Sequence, residues 1–254
     1  MQTLINLVTN ETIKQASLTR TWMSLGIILF INIVSSFFVY ILFDGVQFSF
    51  WEFMRISSNL LLVIQIFCLI IAGDIVSNEF SGGTIKLLLI RPIKRKAILL
   101  SKYVTVLVWA LLLTTAHFLF SSLLGIIWFY DSFFDFSVNF FVVAGAYVLR
   151  FIEMILICSL AFTLSVLTRS SAFAIGLTIF LTFTSNTMMI LLSERGQEWG
   201  KYFLLANTDL QQYFFATPPF EGMTFGFSVI VNVIYLAVFC LASVYVFSKR
   251  DVEV

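Results

Sequence analysis

Three titratable side chains interrupt long apolar runs of the sequence and have the clearest potential for chemistry. Arg150 and Glu153 lie three residues apart, so they share one face of a helix, and His117 lies in the middle of an earlier apolar run. A lone charge in hydrocarbon is costly, so such residues are paired or functional. The Arg150–Glu153 pair either fixes packing or lines a translocation pathway or gate. For His117 the alternatives are a hydrogen-bonded packing role and a proton-linked one.

The sequence has no constellation for covalent catalysis or metal binding. His117 is the only histidine, and the three cysteines lie singly in apolar runs without CxxC spacing. The chain also lacks the GxxxxGK[ST] motif that cradles nucleotide phosphates. We therefore predict that the chain is not an enzyme and binds no cofactor or metal itself.

The polar stretch after the second apolar run predicts a short helix. Gly82 and Gly83 favour the end of the preceding helix, and Arg91 followed by Pro92 favours the end of the next one. An apolar stripe at i, i+3 and i+4 lies between these signals and consists of Ile85, Leu88 and Leu89. The stretch is either a loop whose cations only set topology, or a helix that fits a groove on a partner.

Nine residues in and around this stretch stand in a distinctive order. They are Glu79, Gly83, Thr84, Leu88, Leu89, Arg91, Pro92, Arg95 and Lys102. This order resembles the signature of the ABC-2 family of exporter permeases, as do the segment from Lys201 and the ending from Phe247 to Asp251. The resemblance implies a coupling helix at residues 79–92 that docks on a separate ATPase. The implied coupling residues are Glu79, Gly83, Thr84, Ile85, Leu88, Leu89, Arg91 and Pro92.

Composition predicts the elements that position these residues. Hydrophobic residues make up 60% of the chain and charged residues 11%, and the mean hydropathy is +1.00, values outside the range of soluble globular chains. Six apolar runs are long enough to cross a bilayer. They cover residues 22–43, 59–76, 103–129, 140–167, 172–192 and 223–247. Because these runs lack the alternation of a barrel, we predict an all-α bundle of six transmembrane helices.

The segments between the runs predict the orientation of the bundle. Residues 1–21 are predicted to form an interfacial helix, residues 79–92 a cytoplasmic loop, and residues 193–222 an external, partly re-entrant segment rich in aromatic residues. Three cations lie on the external side: Arg55, Arg195 and Lys201. Eleven lie on the other: Lys14, Arg20, Lys86, Arg91, Lys94, Arg95, Lys96, Lys102, Arg169, Lys249 and Arg250. The positive-inside rule therefore predicts a multi-pass protein of the cell membrane with both termini cytoplasmic.

The sequence favours a transport subunit over an intramembrane enzyme. The net charge of +1 argues against a nucleic-acid partner. The resemblance implies ATPase subunits that bind ATP and Mg²⁺, and a second permease chain, identical or related. Ala172 and Gly176 offer a small-residue contact for that chain. The resemblance also implies export of, or resistance to, antimicrobial or toxin-like peptides, so the expected cargo is an amphipathic peptide or another amphiphile, with a lipid, drug or cation as alternatives. Membrane lipids are expected partners of the chain itself. The alternative is a ligand-binding immunity or sensor protein that does not transport.

Overall fold

The fold is known from a computed structural model that describes residues 2–42, 48–83, 93–133 and 138–249. All regular elements of these residues are helical. The α-helices are α1 (Gln2–Ala16), α2 (Thr19–Leu42), α3 (Phe50–Ser58), α4 (Leu61–Ser81), α5 (Arg95–Trp128), α6 (Val138–Thr168), α7 (Ser171–Glu194), α8 (Leu204–Asn207), α9 (Gln212–Phe215) and α10 (Phe225–Lys249). Two 3₁₀ turns lie at Tyr130–Ser132 and Glu198–Tyr202.

Within the described residues, six helical stretches are long and apolar enough to cross a membrane. Span 1 is α2, span 2 is α3 with α4, and spans 3 to 6 are α5, α6, α7 and α10. The predicted all-α bundle of six membrane-spanning helices is therefore confirmed. We call the end of the bundle that carries α1, Arg95 and Lys249 the basic end, and the other the opposite end.

The spans form an inner and an outer layer. More than half of the most apolar window is buried in each of spans 2, 3 and 4, but less than a quarter in spans 1, 5 and 6. The inner layer supplies most of the buried apolar core, which includes Ile28, Met54, Leu69, Leu113, Met154 and Ile157. Spans 1, 5 and 6 instead present large apolar side chains outward, as lipid-facing helices do.

Several predicted helix ends are wrong, and a buried ion pair explains two of the larger errors. Span 3 begins at Arg95 and not at residue 103, and span 2 continues to Ser81, five residues beyond its predicted end at residue 76. The charges of Glu79 and Lys102 neutralise each other inside the bundle, so neither helix has to end before its charge. The interfacial helix ends at Ala16 and not at residue 21. Apart from the start of span 2, the remaining ends differ by one to three residues.

Span 2 begins earlier than predicted because α3 is a separate nine-residue helix at the opposite end. A capping box starts it: the Ser49 side chain accepts from the backbone N–H of Glu52, and the Glu52 side chain accepts from that of Ser49. The junction with α4 is tightened by i→i+3 bonds, such as Leu60 N to Ser57 O at 2.9 Å. Ser58 Oγ also donates to the Arg55 carbonyl at 2.7 Å, which competes with the regular helical pattern.

A cap of residues 195–222 covers the opposite end. Its centre is Asn207, which is fully buried and donates through Nδ2 to the Lys201 and Phe203 carbonyls at 2.8 and 2.7 Å. Its Oδ1 accepts from Ser228 Oγ at 2.6 Å, and its backbone carbonyl accepts from Asn232 Nδ2 at 2.7 Å. These bonds fix the cap to span 6, although the depth of the cap in the membrane stays a prediction.

Candidate functional site

Four charged residues form a cluster between α1, α4 and α5 at the basic end. We call Glu11, Lys14, Glu79 and Lys102 the inner ion cluster. Lys102 Nζ lies 2.8 Å from Glu11 Oε1 and 3.1 Å from Glu79 Oε1, and Lys14 Nζ lies 2.5 Å from the same Glu79 oxygen. The Lys102 side chain is 0% exposed and that of Glu79 is 2% exposed. The Lys14 side chain is 55% exposed, and the neutral charge of the cluster allows Glu79 and Lys102 to remain buried.

The local structure explains why these groups meet. α1 packs along α5, which places Glu11 beside Lys102 in the second turn of span 3. Glu79 belongs to the last turn of α4, three residues before Gly82. The cluster therefore joins both ends of the connection between spans 2 and 3, and it ties the surface helix α1 to them.

A second ion pair lies deeper at the same end. The Arg20 guanidinium at the start of span 1 binds the carboxylate of Asp74 in span 2, and its Nη2 lies 3.5 Å from Gln15 Oε1. Asp74 is only 8% exposed. Spans 1 and 2 are thus linked by charge near the inner ion cluster.

Near the opposite end, Arg150 forms a triad with two carboxylates. Its Nη1 lies 2.7 Å from Glu153 Oε2 and 3.7 Å from Oδ2 of Asp209 in the cap. The Arg150 and Glu153 side chains are 15% and 10% exposed, whereas that of Asp209 is 44% exposed. The two predicted residues are therefore paired with each other, and the third member reaches them from outside the span.

A cavity of about 310 Å³ lies beside this triad, between span 2, span 4 and the cap. Its lining residues are Arg55, Ser58, Asn59, Ala146, Gln211 and Phe215. Gln211 Nε2 donates to the Ala146 carbonyl at 2.8 Å, and its backbone N–H donates to Asp209 Oδ1 at 2.9 Å. The cavity thus combines a cation and amide groups with an aromatic wall, a mixed lining that suits a polar or amphiphilic group.

His117 is not part of that triad and lies in a separate buried network. Its Nε2 faces the Ser57 carbonyl at 3.1 Å, and its Nδ1 lies 3.0 Å from Asn32 Nδ2. A carbonyl can only accept, so Nε2 carries the proton and Nδ1 accepts from the Asn32 amide. Ser121 Oγ completes the network by donating to Asn32 Oδ1 at 2.6 Å. Both ring nitrogens of a neutral imidazole are satisfied, which favours the packing role over the proton-linked one.

The predicted coupling residues are only partly within the described chain. Gly83 has a left-handed φ of 67° directly after the end of α4, as the glycine pair predicts. Glu79 is held by Lys14 and Lys102 at the end of span 2, so it does not start a separate coupling helix. The remaining positions lie outside the described residues: Thr84, Ile85, Leu88, Leu89, Arg91 and Pro92.

The partners of these charges were not predicted from the sequence. Glu11 and Asp209 lie 91 and 59 positions from Lys102 and Arg150, and no local pattern joins such distant residues. One signal was present for Lys102: a cation placed one residue before a predicted span requires an acid when the helix continues through it. The capping box at Ser49 and Glu52 likewise signalled the start of α3.

Comparison with known proteins gives two relatives, both from Bacillus subtilis (strain 168). The first bears the name Uncharacterized protein YhcI and is 37% identical over 217 residues, which cover 80% of this chain and 69% of the relative. The second bears the name Uncharacterized membrane protein YdbK and is 32% identical over 215 residues, covering 83% of this chain and 86% of the relative. The apolar helices and the second relative together make this chain a membrane protein.

A family model also matches almost the whole chain, from residue 18 to residue 253. It is not a model of the ABC-2 exporter permeases, so the assignment by resemblance to that family is corrected. The nine-residue order from Glu79 to Lys102 was too short and too degenerate to identify a family. The chain belongs to the family described as Protein of unknown function (DUF2705).

Proposed function

We propose that this chain is the membrane-spanning subunit of an ATP-binding-cassette exporter. It would form the translocation pathway and couple to a separate ATPase subunit that binds ATP and Mg²⁺. The observation that carries the proposal is the inner ion cluster, because it joins both ends of the connection between spans 2 and 3. A partner that moves this connection would move two spans and α1 together.

The energetics of buried charges support this mechanical role. Removing one partner of a buried ion pair costs roughly 3–5 kcal/mol, because the other charge is left uncompensated. Lys102 contacts both Glu11 and Glu79, so displacing span 3 alone would break two contacts at once. The unit of α1, span 2 and span 3 is therefore expected to move as one body when the connection is pushed.

The distribution of cations supports the orientation. Eleven Lys and Arg side chains belong to the basic end and its flanking segments, against three on the other side. By the positive-inside rule the basic end faces the cytoplasm, in the cell membrane, with both termini on that side. A cytoplasmic ATPase would then meet the connection between Gly83 and Lys94.

The opposite end supports an amphiphilic cargo. The cavity beside the Arg150 triad offers both polar groups and an aromatic wall, which suits an amphipathic peptide or another amphiphile. A second copy or a related chain would complete the pathway, since spans 5 and 6 are mostly exposed. Ala172 and Gly176 are exposed on span 5 and would allow close helix contact.

A ligand-binding immunity or sensor protein is the second candidate. The cavity beside the Arg150 triad favours this candidate, because a cavity at one end of the bundle is sufficient for binding a ligand without transporting it. Such a protein would require no ATPase. The two candidates therefore differ in their dependence on a partner that hydrolyses ATP.

The deciding experiment is purification from membranes of the native host after mild cross-linking. We expect an ATPase to co-purify, and vesicles reconstituted with both chains to export an amphiphilic peptide only with ATP and Mg²⁺. Ligand binding without any associated ATP hydrolysis would contradict the proposal and support the second candidate.

A further inference from the structure

An apolar groove of about 180 Å³ lies between spans 1 and 2 near the basic end. Ser24 and Ile27 line it from α2, and Phe67 and Ile70 line it from α4. Ile27 is 40% exposed in a membrane-spanning helix, so the groove lies at the lipid-facing surface of the bundle. An apolar cavity of about 150 Å³ already takes up benzene, so this groove has room for part of a hydrocarbon chain.

Arg20 lines the same groove and supplies a cation at the end of the groove nearest the basic end of the bundle. Its Nη1 binds Asp74, and its contact with Gln15 is at the 3.5 Å limit of a hydrogen bond. The Arg20 side chain is 34% exposed, so it is not closed off from the groove and a ligand oxygen can approach its guanidinium.

Trp22 lies between the lining residues Thr21 and Met23 in the sequence and indicates the depth of the groove in the membrane. Its side chain is 64% exposed, and its indole N–H donates to the Ala16 carbonyl at 2.8 Å, between α1 and α2. Tryptophan is enriched at headgroup level, where one side of the ring is apolar and the other wet. The groove therefore starts at headgroup depth and runs into the hydrocarbon region.

We propose that this groove binds an anionic phospholipid of the leaflet at the basic end. One acyl chain lies between spans 1 and 2, and a phosphate oxygen accepts hydrogen bonds from the Arg20 guanidinium. Guanidinium is the side-chain group best suited to phosphate, because its planar set of donors can bind two oxygens at once. The Asp74 carboxylate partly neutralises the Arg20 charge, so it weakens the preference of the groove for an anionic headgroup. The site is independent of the proposed transport function.

The experiment is native mass spectrometry of the full chain in detergent with equal amounts of phosphatidylglycerol and phosphatidylcholine. Wild type is expected to retain phosphatidylglycerol preferentially. Arg20→Gln should lower that preference about fivefold, the effect of one cation near a membrane surface. Asp74→Asn should change it in the opposite direction, because Arg20 then keeps its full charge. Arg20→Lys should preserve part of the preference for phosphatidylglycerol. This variant shows whether the loss of preference in Arg20→Gln is caused by the missing charge or by misfolding.

Two further variants separate the groove from general charge. Ile70→Trp should fill the groove and reduce retention of both lipids. Arg169→Gln is the matched control, since Arg169 is a cation of the same end that stacks on Phe80 at 4.6 Å and does not line the groove. The proposal is overturned if Arg20→Gln and Asp74→Asn leave the preference unchanged, or if Arg169→Gln lowers it equally. It is also overturned if Ile70→Trp reduces self-association instead of lipid retention, since a second copy would then cover the groove.

Discussion

Replacing Lys102 with Met tests the inner ion cluster most sharply, because methionine keeps most of the volume and removes the charge. Glu11 would then lose its ion pair with Lys102, whereas Glu79 would keep its contact with Lys14. Breaking a buried pair costs roughly 3–5 kcal/mol, and the remaining contact with Lys14 argues for the lower value. At about 2–4 °C per kcal/mol for a chain of this size, the expected decrease in Tm is roughly 6–12 °C.

Thermal unfolding of the purified chain in detergent, followed by circular dichroism, measures this decrease. Adding Glu11→Gln to Lys102→Met restores neutrality, so the double variant should recover more than half of the loss. Lys201→Met is the matched control, because Lys201 lies 3.5 Å from an exposed Glu198 and its loss should cost less than about 1 kcal/mol. An unchanged Tm for Lys102→Met, or a double variant less stable than the single, would refute the reasoning.

Three further predictions concern the rest of the bundle. A cysteine at Lys94 should not react with an impermeant reagent added outside intact cells, and labelling there would reverse the orientation. Gly73→Val should destabilise the chain by about 1–3 kcal/mol, because even a Cβ at Gly73 would lie 2.4 Å from Ile175 Cγ1. In a thermal unfolding assay, adding Ile175→Ala should restore part of the lost stability. Arg150→Met should loosen the cap and increase the rate of its proteolysis. The double variant Arg150→Met with Glu153→Gln should be cleaved more slowly than Arg150→Met alone. Equal rates for wild type and Arg150→Met would contradict the role of the triad.

The sequence was sufficient for the class of fold and for the number of spans. Each apolar run is long enough to specify a membrane helix by itself, without information about its neighbours. The capping box at Ser49 and Glu52 and the glycine pair after α4 are likewise local signals, readable from a few consecutive residues. Each of these features is determined by the residues within it or directly beside it in the sequence.

The candidate sites could not be predicted in the same way. The partner of Lys102 in α1 and the partner of Arg150 in the cap are set by how helices pack, which hydropathy does not encode. Hydropathy also ended span 2 at residue 76 and began span 3 at residue 103, because it assigns a charged residue to water whether or not it has a partner. A buried, charge-neutral cluster is therefore difficult to predict from local sequence patterns, because its ion pairs depend on how the helices pack.

We propose that an ATPase drives this chain through the connection between spans 2 and 3. Co-purification of the wild-type partner ATPase with a Leu88→Asp variant, together with amphiphile-stimulated ATP hydrolysis, tests it most directly. We expect Leu88→Asp to lose the ATPase or its stimulation, because a charge would replace the proposed apolar contact. Ile13→Asp is the matched control, since Ile13 is an exposed apolar residue of the same end, and it should keep both. Unchanged co-purification and unchanged stimulation in a correctly inserted Leu88→Asp variant would contradict the account.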